Sequence, residues 1–196
     1  MGLTAIFGGT FNPFHIGHYE MLKALEQDDT IDEIWVMPDK IPPHKVCDYL
    51  ADDTDRIKMC ELVCEDFSKA SVCLIEFNRK GRSYSYDTVL ELKTKYPDKQ
   101  FVFVIGGDML VSFLDWYKAD ELMKMLPFIA FKRIGTDDNE FEVCVNKFSK
   151  MGMNITVKDE IIPDVSSTEF RNLNLKELLP EKIYDFIKKR GIYNVR

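Results

Sequence analysis

Short apolar runs alternate along the chain with segments in which apolar residues recur every three or four positions. The runs predict six strands, at residues 3–7, 31–37, 72–77, 101–105, 128–133 and 155–161. Helical spacing predicts helices from residue 16 onward and at residues 86–96, 140–150, 166–173 and 181–190. A further helix is predicted to begin at the candidate caps Asp53 and Thr54, with an apolar stripe formed by Ile57, Cys60, Cys64 and Phe67.

Strands and helices alternate throughout, and several strands lack polar alternation, which is typical of a parallel sheet covered on both faces. The pattern therefore predicts an α/β, Rossmann-like, doubly wound parallel sheet with helices on both faces. We expect residues 1–196 to form a single domain whose C-terminal helical part begins at about residue 166. Ligands of such sheets bind beyond the carboxyl ends of the strands, so the loops after the first, second and fourth strands are the expected site.

Composition narrows the classes of partner. The net charge is −7 and the isoelectric point is about 5.1, which disfavours nucleic acid and anionic membranes as partners but allows an anionic small molecule in a local basic pocket. The five cysteines are odd in number and no leader-like apolar segment is present, so we expect free thiols and a cytoplasmic protein. Cys60 and Cys64 lie one helical turn apart without a third ligand at metal spacing, which favours buried thiols. The oligomeric state stays open.

The first loop concentrates the candidate chemistry. Residues 7–18 read FGGTFNPFHIGH and contain two of the three histidines in the chain. Gly8 and Gly9 would allow a sharp turn and a close approach to a ligand, and the amides at the start of the following helix would bind an anion. His15 and His18 are three positions apart, so one helical turn places both on one face. A Gly-Gly pair before a helix is common in ordinary turns, but the histidines and Thr10 together favour phosphate chemistry.

This stretch resembles the (T/G)xFDPxHxGH motif of the nucleotidyltransferase superfamily that shares the HIGH motif with class I aminoacyl-tRNA synthetases. Asn12 stands where many relatives carry Asp, a departure to which we give little weight. Four later blocks are similar to the nicotinate mononucleotide adenylyltransferases: IPPHK at 41–45, RSYSYDTV at 82–89, GGDML…DWYKADEL at 106–122 and VSSTEFR at 165–171. The sequence FKRIG departs from the RPG of many members, so no role is carried over to Arg133.

The resemblance implies transfer of the adenylyl group of ATP to nicotinate mononucleotide, giving deamido-NAD and pyrophosphate. It implies catalytic roles for His15, His18 and Arg171. It implies ATP and phosphate binding by Gly8, Gly9, Thr10, Phe11, Gly106, Asp108, Ser167 and Thr168. It implies mononucleotide binding by His44, Lys45, Ser85, Trp116 and Tyr117, with Trp116 stacked on the pyridine ring. Mg²⁺ would arrive with ATP, without a dedicated protein metal site.

Several of these residues also have ordinary structural interpretations. Ser166 or Ser167 can cap a helix, Arg171 can be solvated, and Trp116 can be a core aromatic residue. Two other functions stay open: another HxGH adenylyl- or cytidylyltransferase, such as a phosphopantetheine adenylyltransferase, and a non-catalytic nucleotide sensor. The segment around Trp116 argues against the first, and the intact His15, His18 and Arg171 argue against the second.

Overall fold

A computed structural model describes residues 2–41, 49–79, 81–134 and 138–195 of the protein. Six parallel strands form a sheet in the order β3-β2-β1-β4-β5-β6. The strands are β1 (Leu3–Gly9), β2 (Ile31–Pro38), β3 (Ala70–Val72), β4 (Gln100–Gly106), β5 (Phe128–Arg133) and β6 (Ile155–Ile162). The chain winds outward from β1 in one direction and from β4 in the other, which confirms the predicted Rossmann-like α/β fold.

Helices follow the strands and cover the sheet. They are α1 (Ile16–Gln27), α2 (Asp53–Cys64), α3 (Ser85–Lys95), α4 (Gly107–Val111), α5 (Ala119–Met125), α6 (Asp138–Lys150), α7 (Ser167–Leu173) and α8 (Glu181–Arg190). Three 3₁₀ turns lie at Ile75–Asn78, Phe113–Asp115 and Lys176–Leu178. None of the helices within the described ranges is long and apolar enough to cross a membrane.

Two apolar cores lie on the two faces of the sheet. Val102 and Val104 of β4 join the core formed with α1, α2, α7 and α8. Phe101, Phe103 and Ile105 of the same strand join the core formed with α3 to α6. Because both faces are covered, β4 is apolar along nearly its whole length, which is the pattern that the sequence shows.

The predicted third strand is wrong over most of its length. It was expected at residues 72–77, but β3 ends at Val72 and residues Ile75–Asn78 form a 3₁₀ turn. β3 is an edge strand that pairs only with β2, through three residues. Ile75 is still buried, but it reaches the core from the turn. An apolar run does not distinguish a strand from a buried turn, because both place the same side chains in the core.

The predicted apolar stripe of α2 is confirmed for Cys60, but the buried face of the helix otherwise differs from it. The buried face consists of Asp55, Arg56, Met59, Cys60 and Val63, whereas Ile57 is half-buried. Phe67 lies beyond the end of the helix, and the N-cap is Asp52, whose side chain makes no capping hydrogen bond. The stripe was misplaced because a charged residue, Arg56, takes a fully buried position on this helix.

Candidate active site

A cavity of about 480 Å³ opens at the carboxyl ends of β1 and β4, where the direction of winding reverses. All predicted site residues within the described part of the chain line it: Gly8, Gly9, Thr10, Phe11, His15, His18, Ser85, Gly106, Asp108, Trp116, Tyr117, Ser167, Thr168 and Arg171. His44 and Lys45 lie outside the described residues, as does Cys47. Residues from distant parts of the sequence therefore meet at one crevice, while their individual roles stay predictions.

His15 and His18 cap the start of α1 for each other. The backbone N–H of His18 donates to Nδ1 of His15, and the backbone N–H of His15 donates to Nδ1 of His18, both at 3.3 Å. The two rings stack with their centroids 3.5 Å apart. Because each Nδ1 accepts a hydrogen bond, each neutral imidazole carries its proton on Nε2. This reciprocal capping fixes two adjacent N–H donors in the cavity wall.

Gly17 allows this pairing. A Cβ at that position would lie 3.1 Å from two atoms of the His15 ring and 3.3 Å from the carbonyl oxygen of Pro163. A larger residue would therefore push the ring from its capping position or α1 away from the segment that precedes α7. A glycine between the two histidines is therefore a packing requirement of the site.

The expected sharp turn at Gly8 and Gly9 is wrong. Both residues belong to β1 and pair with Met37 and Pro38 of β2, so their backbone is extended. The left-handed residue of the loop is Phe11, whose φ is 47°. A Cβ at Gly8 would meet no atom within 4 Å, so a side chain there would project into the cavity that Gly8 lines.

A buried guanidinium joins the loops that follow β1 and β2. Arg56 is 0% exposed and donates to the carbonyl oxygens of Thr10 at 3.0 Å and Asp39 at 2.6 Å. It also bonds the carboxylate of Asp53 at 2.6 Å. The hydroxyl of Thr10 donates to Oδ2 of Asp39 at 2.8 Å. Arg56 is a residue that the sequence analysis did not single out, because nothing in its helical spacing indicates a buried charge.

α7 docks against the first loop. Ser166 caps the helix by accepting from the N–H of Glu169 at 3.1 Å, which confirms the capping interpretation for this serine. Ser167 donates to the carbonyl oxygen of Pro13 at 2.8 Å. Arg171 donates to the carbonyl oxygen of Asn12 at 2.7 Å and to Thr168 at 3.0 Å. Arg171 is thus held at the cavity and is not a freely solvated side chain.

Aromatic side chains line the part of the cavity contributed by the opposite face of the sheet. Trp116 is half-buried and packs against Phe103 and Phe113, at centroid distances of 5.9 and 5.3 Å. Tyr117 is exposed and lies 4.7 Å from the ring of Tyr84. Trp116 therefore belongs partly to the core and partly to the cavity, so its two interpretations are compatible.

The buried carboxyl group of Glu76 contacts the first turn of α3 through Thr88. Glu76 is 8% exposed, and Oε1 accepts from the hydroxyl of Thr88 at 2.7 Å. Burial raises the pKa of Glu76, and hydrogen bonds from Thr88 and Ser83 oppose that rise. Ser83 also accepts from the N–H of Lys40 at 3.1 Å, which ties the loop after β2 to the loop before α3. Sequence analysis missed Glu76 because it assigned this residue to a strand.

An ion pair lies at the end of β4. Nε of Arg133 is 3.5 Å from Oδ1 of Asp108, and both residues line the cavity. A Cβ at Gly106 would come within 2.9 Å of the same carboxylate oxygen, so this glycine leaves room for Asp108. Asp39 was missed and Arg133 was given no role, although each ends or follows a predicted strand. Their position at the carboxyl edge of the sheet is the signal that would have found them.

No group of three or more His, Cys, Asp or Glu side chains in the described ranges could hold a metal ion. Cys60, Cys64, Cys73 and Cys144 are free thiols. Burial raises the pKa of Cys64 to about 12, so this thiol stays protonated at neutral pH.

The fold and the site define an α/β protein with a ligand cavity at the switch point of its sheet. Residues 6–173 match the cytidylyltransferase-like family. A protein of Bacillus cereus (strain B4264) named "Probable nicotinate-nucleotide adenylyltransferase" is 34% identical over 189 residues, which cover 96% of each chain. A protein of Bacillus cytotoxicus with the same name is 33% identical over the same length and coverage.

A solved structure has the same fold at lower sequence identity. The nicotinic acid mononucleotide adenylyltransferase of Plasmodium falciparum, complexed with NaAD, superposes with a TM-score of 0.82. The match covers 100% of this chain and 99% of that chain at 20% identity. The chain therefore belongs to the cytidylyltransferase-like family and, within it, to the nicotinate-nucleotide adenylyltransferases. It is a nucleotidyltransferase.

Proposed function

We propose that this nucleotidyltransferase transfers the adenylyl group of ATP to the 5′-phosphate of nicotinate mononucleotide, a step of NAD biosynthesis that gives deamido-NAD and pyrophosphate. One observation carries the proposal: a single crevice contains both hydrogen-bond donors suited to phosphate and a wall of aromatic side chains. The imidazoles of His15 and His18 and the guanidinium of Arg171 come from one face of the sheet, and Trp116 with Ser85 comes from the other. An adenylyl acceptor that has both a phosphate and a pyridine ring needs both parts.

The chemistry requires no general base. A phosphate monoester has a second pKa of about 6, so the mononucleotide phosphate is largely dianionic at neutral pH. One of its oxygens bonds to the α-phosphorus of ATP, and the bond from that phosphorus to the β-phosphoryl oxygen breaks, so that its electron pair leaves with pyrophosphate. Catalysis then consists of positioning and charge stabilisation. The Nε2–H groups of His15 and His18 would bond the phosphoryl oxygens on which charge develops.

The remaining phosphate contacts are assigned to the loops at the crevice. Gly8, Gly9, Thr10 and Phe11 would lie along the ATP phosphates, and Gly106 with Asp108 would contact the nucleotide beside them. Ser167, Thr168 and Arg171 would bind the departing pyrophosphate, for which a guanidinium is well suited. Enzymes of this class generally use a divalent metal with ATP, and we propose that Mg²⁺ enters as MgATP, coordinated mainly by phosphate oxygens and water.

The acceptor would lie between Trp116, Tyr117 and the start of α3. Tyr84, the N-cap of α3, makes no side-chain capping hydrogen bond, so the first-turn amides beginning at Ser85 suit a carboxylate. The neighbours of Trp116 in sequence are Asp115 and Tyr117, which supply no cationic partner. Backbone N–H donors would therefore bind the nicotinate carboxylate and disfavour nicotinamide, because the NH₂ of the amide would face other donors. His44 and Lys45 are proposed to bind the mononucleotide. We also propose that the reaction takes place in the cytoplasm.

Pyrophosphate release from ATP, measured with a panel of acceptors, tests this proposal. We expect turnover with nicotinate mononucleotide and a preference of about 10²-fold in kcat/KM over the nicotinamide analogue, since unpaired buried donors cost about 1–3 kcal/mol each. Phosphopantetheine should give no pyrophosphate above background. The assignment would be contradicted if phosphopantetheine were the only acceptor to support turnover, or if none of the acceptors in the panel supported it.

A further inference from the structure

Tyr193, which follows α8, contacts the first loop of the active site although it lies 181 positions after Asn12 in sequence. Its hydroxyl donates to Oδ1 of Asn12 at 2.6 Å. The ring is 4% exposed and packs against Tyr49 and Phe170, at centroid distances of 5.4 and 6.1 Å. Burial raises the pKa of Tyr193, so the phenol stays protonated and can donate.

Asn12 uses both ends of its amide. Oδ1 accepts from Tyr193 and from the N–H of Ala51 at 3.1 Å, and Nδ2 donates to the carbonyl oxygen of Tyr49 at 2.8 Å. The side chain is almost fully buried. An aspartate could accept the first two bonds, but it would place an oxygen against the carbonyl oxygen of Tyr49. The substitution that seemed minor in the sequence is therefore matched to its surroundings.

The backbone of Asn12 carries the effect into the site. Its carbonyl oxygen accepts the 2.7 Å hydrogen bond from Arg171, and three residues later His15 begins the paired cap of α1. Any rotation of Asn12 would move its carbonyl oxygen, which accepts the hydrogen bond from Arg171. It would also move the loop that leads to His15. Tyr193 bonds the side chain of Asn12, whereas Arg171 bonds its backbone carbonyl oxygen.

We infer that Tyr193 is a positioning residue: through Asn12 it fixes the first loop, and thereby sets Arg171 and the pair His15 and His18 for transfer. The inference rests on the proposed function. Tyr193 touches no reacting atom, and it does not line the cavity. Its effect should therefore appear in kcat, while the KM for nicotinate mononucleotide, which depends on the Trp116 side of the crevice, should change less than about twofold.

Tyr193→Phe tests the inference because it keeps the ring and removes only the hydroxyl. We expect kcat for pyrophosphate release to fall about fivefold, the scale of one lost buried hydrogen bond. Tyr49→Phe is the matched control: it removes a hydroxyl from the neighbouring ring, outside the hydrogen-bond chain. Ile187→Val, on the buried face of α8, controls for a loss of stability in the same part of the chain. Both controls should keep the wild-type kcat at a temperature well below their Tm.

Asn12→Ala provides a second variant on the same chain of contacts. It should lower kcat by at least as much as Tyr193→Phe, since it removes the side-chain hydrogen bonds to Tyr193 and to Tyr49. If the two residues act as one unit, the double variant should be less impaired than the product of the two single effects. Multiplicative effects, or a Tyr193→Phe enzyme with wild-type kcat, would overturn the inference.

Histidine NMR gives a readout that does not depend on turnover. The chain contains three histidines, so ring ¹⁵N spectra are simple to compare. Tyr193→Phe should shift the signals of His15 and His18, whereas Tyr49→Phe and Ile187→Val should leave them in place. Superimposable spectra for Tyr193→Phe and wild type would overturn the inference. A wild-type enzyme that releases no pyrophosphate contradicts the proposed function instead, and the spectra then still decide the positioning role.

Discussion

At the scale of single residues, the pairing of two imidazoles decides what the site can donate. Each ring of the His15–His18 pair accepts a backbone N–H on Nδ1. The bonds that cap the helix therefore also select the tautomer that carries its proton on Nε2. The helix cap and the two donors are therefore supplied by the same two rings, the cap by Nδ1 and the donor by Nε2. This explains why a chain with three histidines places two of them within one turn of helix.

His18→Ala should lower kcat by about 10²-fold, because it removes one donor to the transition state. The circular dichroism spectrum should match that of the wild type, since the change removes one capping bond and leaves the rest of α1 in place. His18→Gln keeps an N–H donor on a side chain of similar reach and should recover part of the lost rate. Near-normal turnover by a folded His18→Ala enzyme would remove this residue from the mechanism.

The two tryptophans offer a matched pair for the acceptor site. Trp116 lines the cavity, whereas Trp35 lies in β2 and packs against Tyr96 and Phe101. Trp116→Ala should raise the KM for nicotinate mononucleotide about tenfold, within the range of about 1–3 kcal/mol for an aromatic stack, and leave the KM for ATP nearly unchanged. Nicotinate mononucleotide should quench the fluorescence of the Trp35→Phe variant, in which Trp116 is the sole tryptophan. No quenching, together with an unchanged KM in Trp116→Ala, would assign Trp116 to the core alone.

At the scale of elements, α1 is fixed at both ends. The histidine pair holds its start, and Asp28, its C-cap, bonds Lys158 of β6 at 2.5 Å and Thr30 at 2.8 and 2.6 Å. Partial burial disfavours the Asp28 carboxylate, but the hydrogen bonds from Lys158 and Thr30 outweigh it and lower its pKa to about 2. The end of α1 far from the cavity is thus tied to an edge strand by a charged contact.

Asp28→Asn should lower the free energy of unfolding at pH 7 by about 2 kcal/mol, the value of a pKa lowered from 3.8 to about 2. Because the folded-state pKa lies below the unfolded one, this stabilisation is present above about pH 4 and disappears as the pH falls towards 2. Urea unfolding of wild type and variant between pH 7 and pH 3 measures the difference. Asp29→Asn, one residue on and exposed, is the matched control for the change in charge. A difference that stays constant down to pH 3 would rule out this origin.

The elements that sequence analysis identified are those whose side chains repeat with one period. β1, β2, β4 and β5 were found because helices cover them, and β6 was found although most of its side chains are exposed. α8 was found between Pro180 and Gly191, which indeed flank it. The short helices α4 and α5 were missed, whereas α7, which is as short as α5, was found next to the capping residue Ser166. β3 was misplaced because three edge residues carry no pattern of their own.

The site was predictable where a motif or a strand end marked it. The histidine pair, Trp116 and Arg171 came from the motifs, and the switch point came from the order of elements. Arg56, Glu76 and the contact of Tyr193 with Asn12 were not predictable, because each depends on burial of a polar group between distant segments. Such partners are set by tertiary packing and leave no local spacing.

At the scale of the whole molecule, an acidic protein presents cationic groups at a crevice. The net charge is −7, and Arg133 and Arg171 line the cavity together with Asp39, Glu76 and Asp108, while Arg56 lies beneath its loops. The sheet order brings the loops after β1 and β4 side by side, so donors from one face and aromatic rings from the other meet there. That residues 1–196 form one domain stays a prediction.

An isotope experiment tests the central claim most directly. Nicotinate mononucleotide labelled with ¹⁸O in its phosphate is incubated with ATP, Mg²⁺ and the protein, and the products are analysed by mass spectrometry. Attack of the labelled phosphate on the α-phosphorus of ATP predicts a deamido-NAD that retains all of the label and a pyrophosphate that contains none. Label in the pyrophosphate, or release of pyrophosphate without the labelled dinucleotide, would contradict adenylyl transfer to nicotinate mononucleotide.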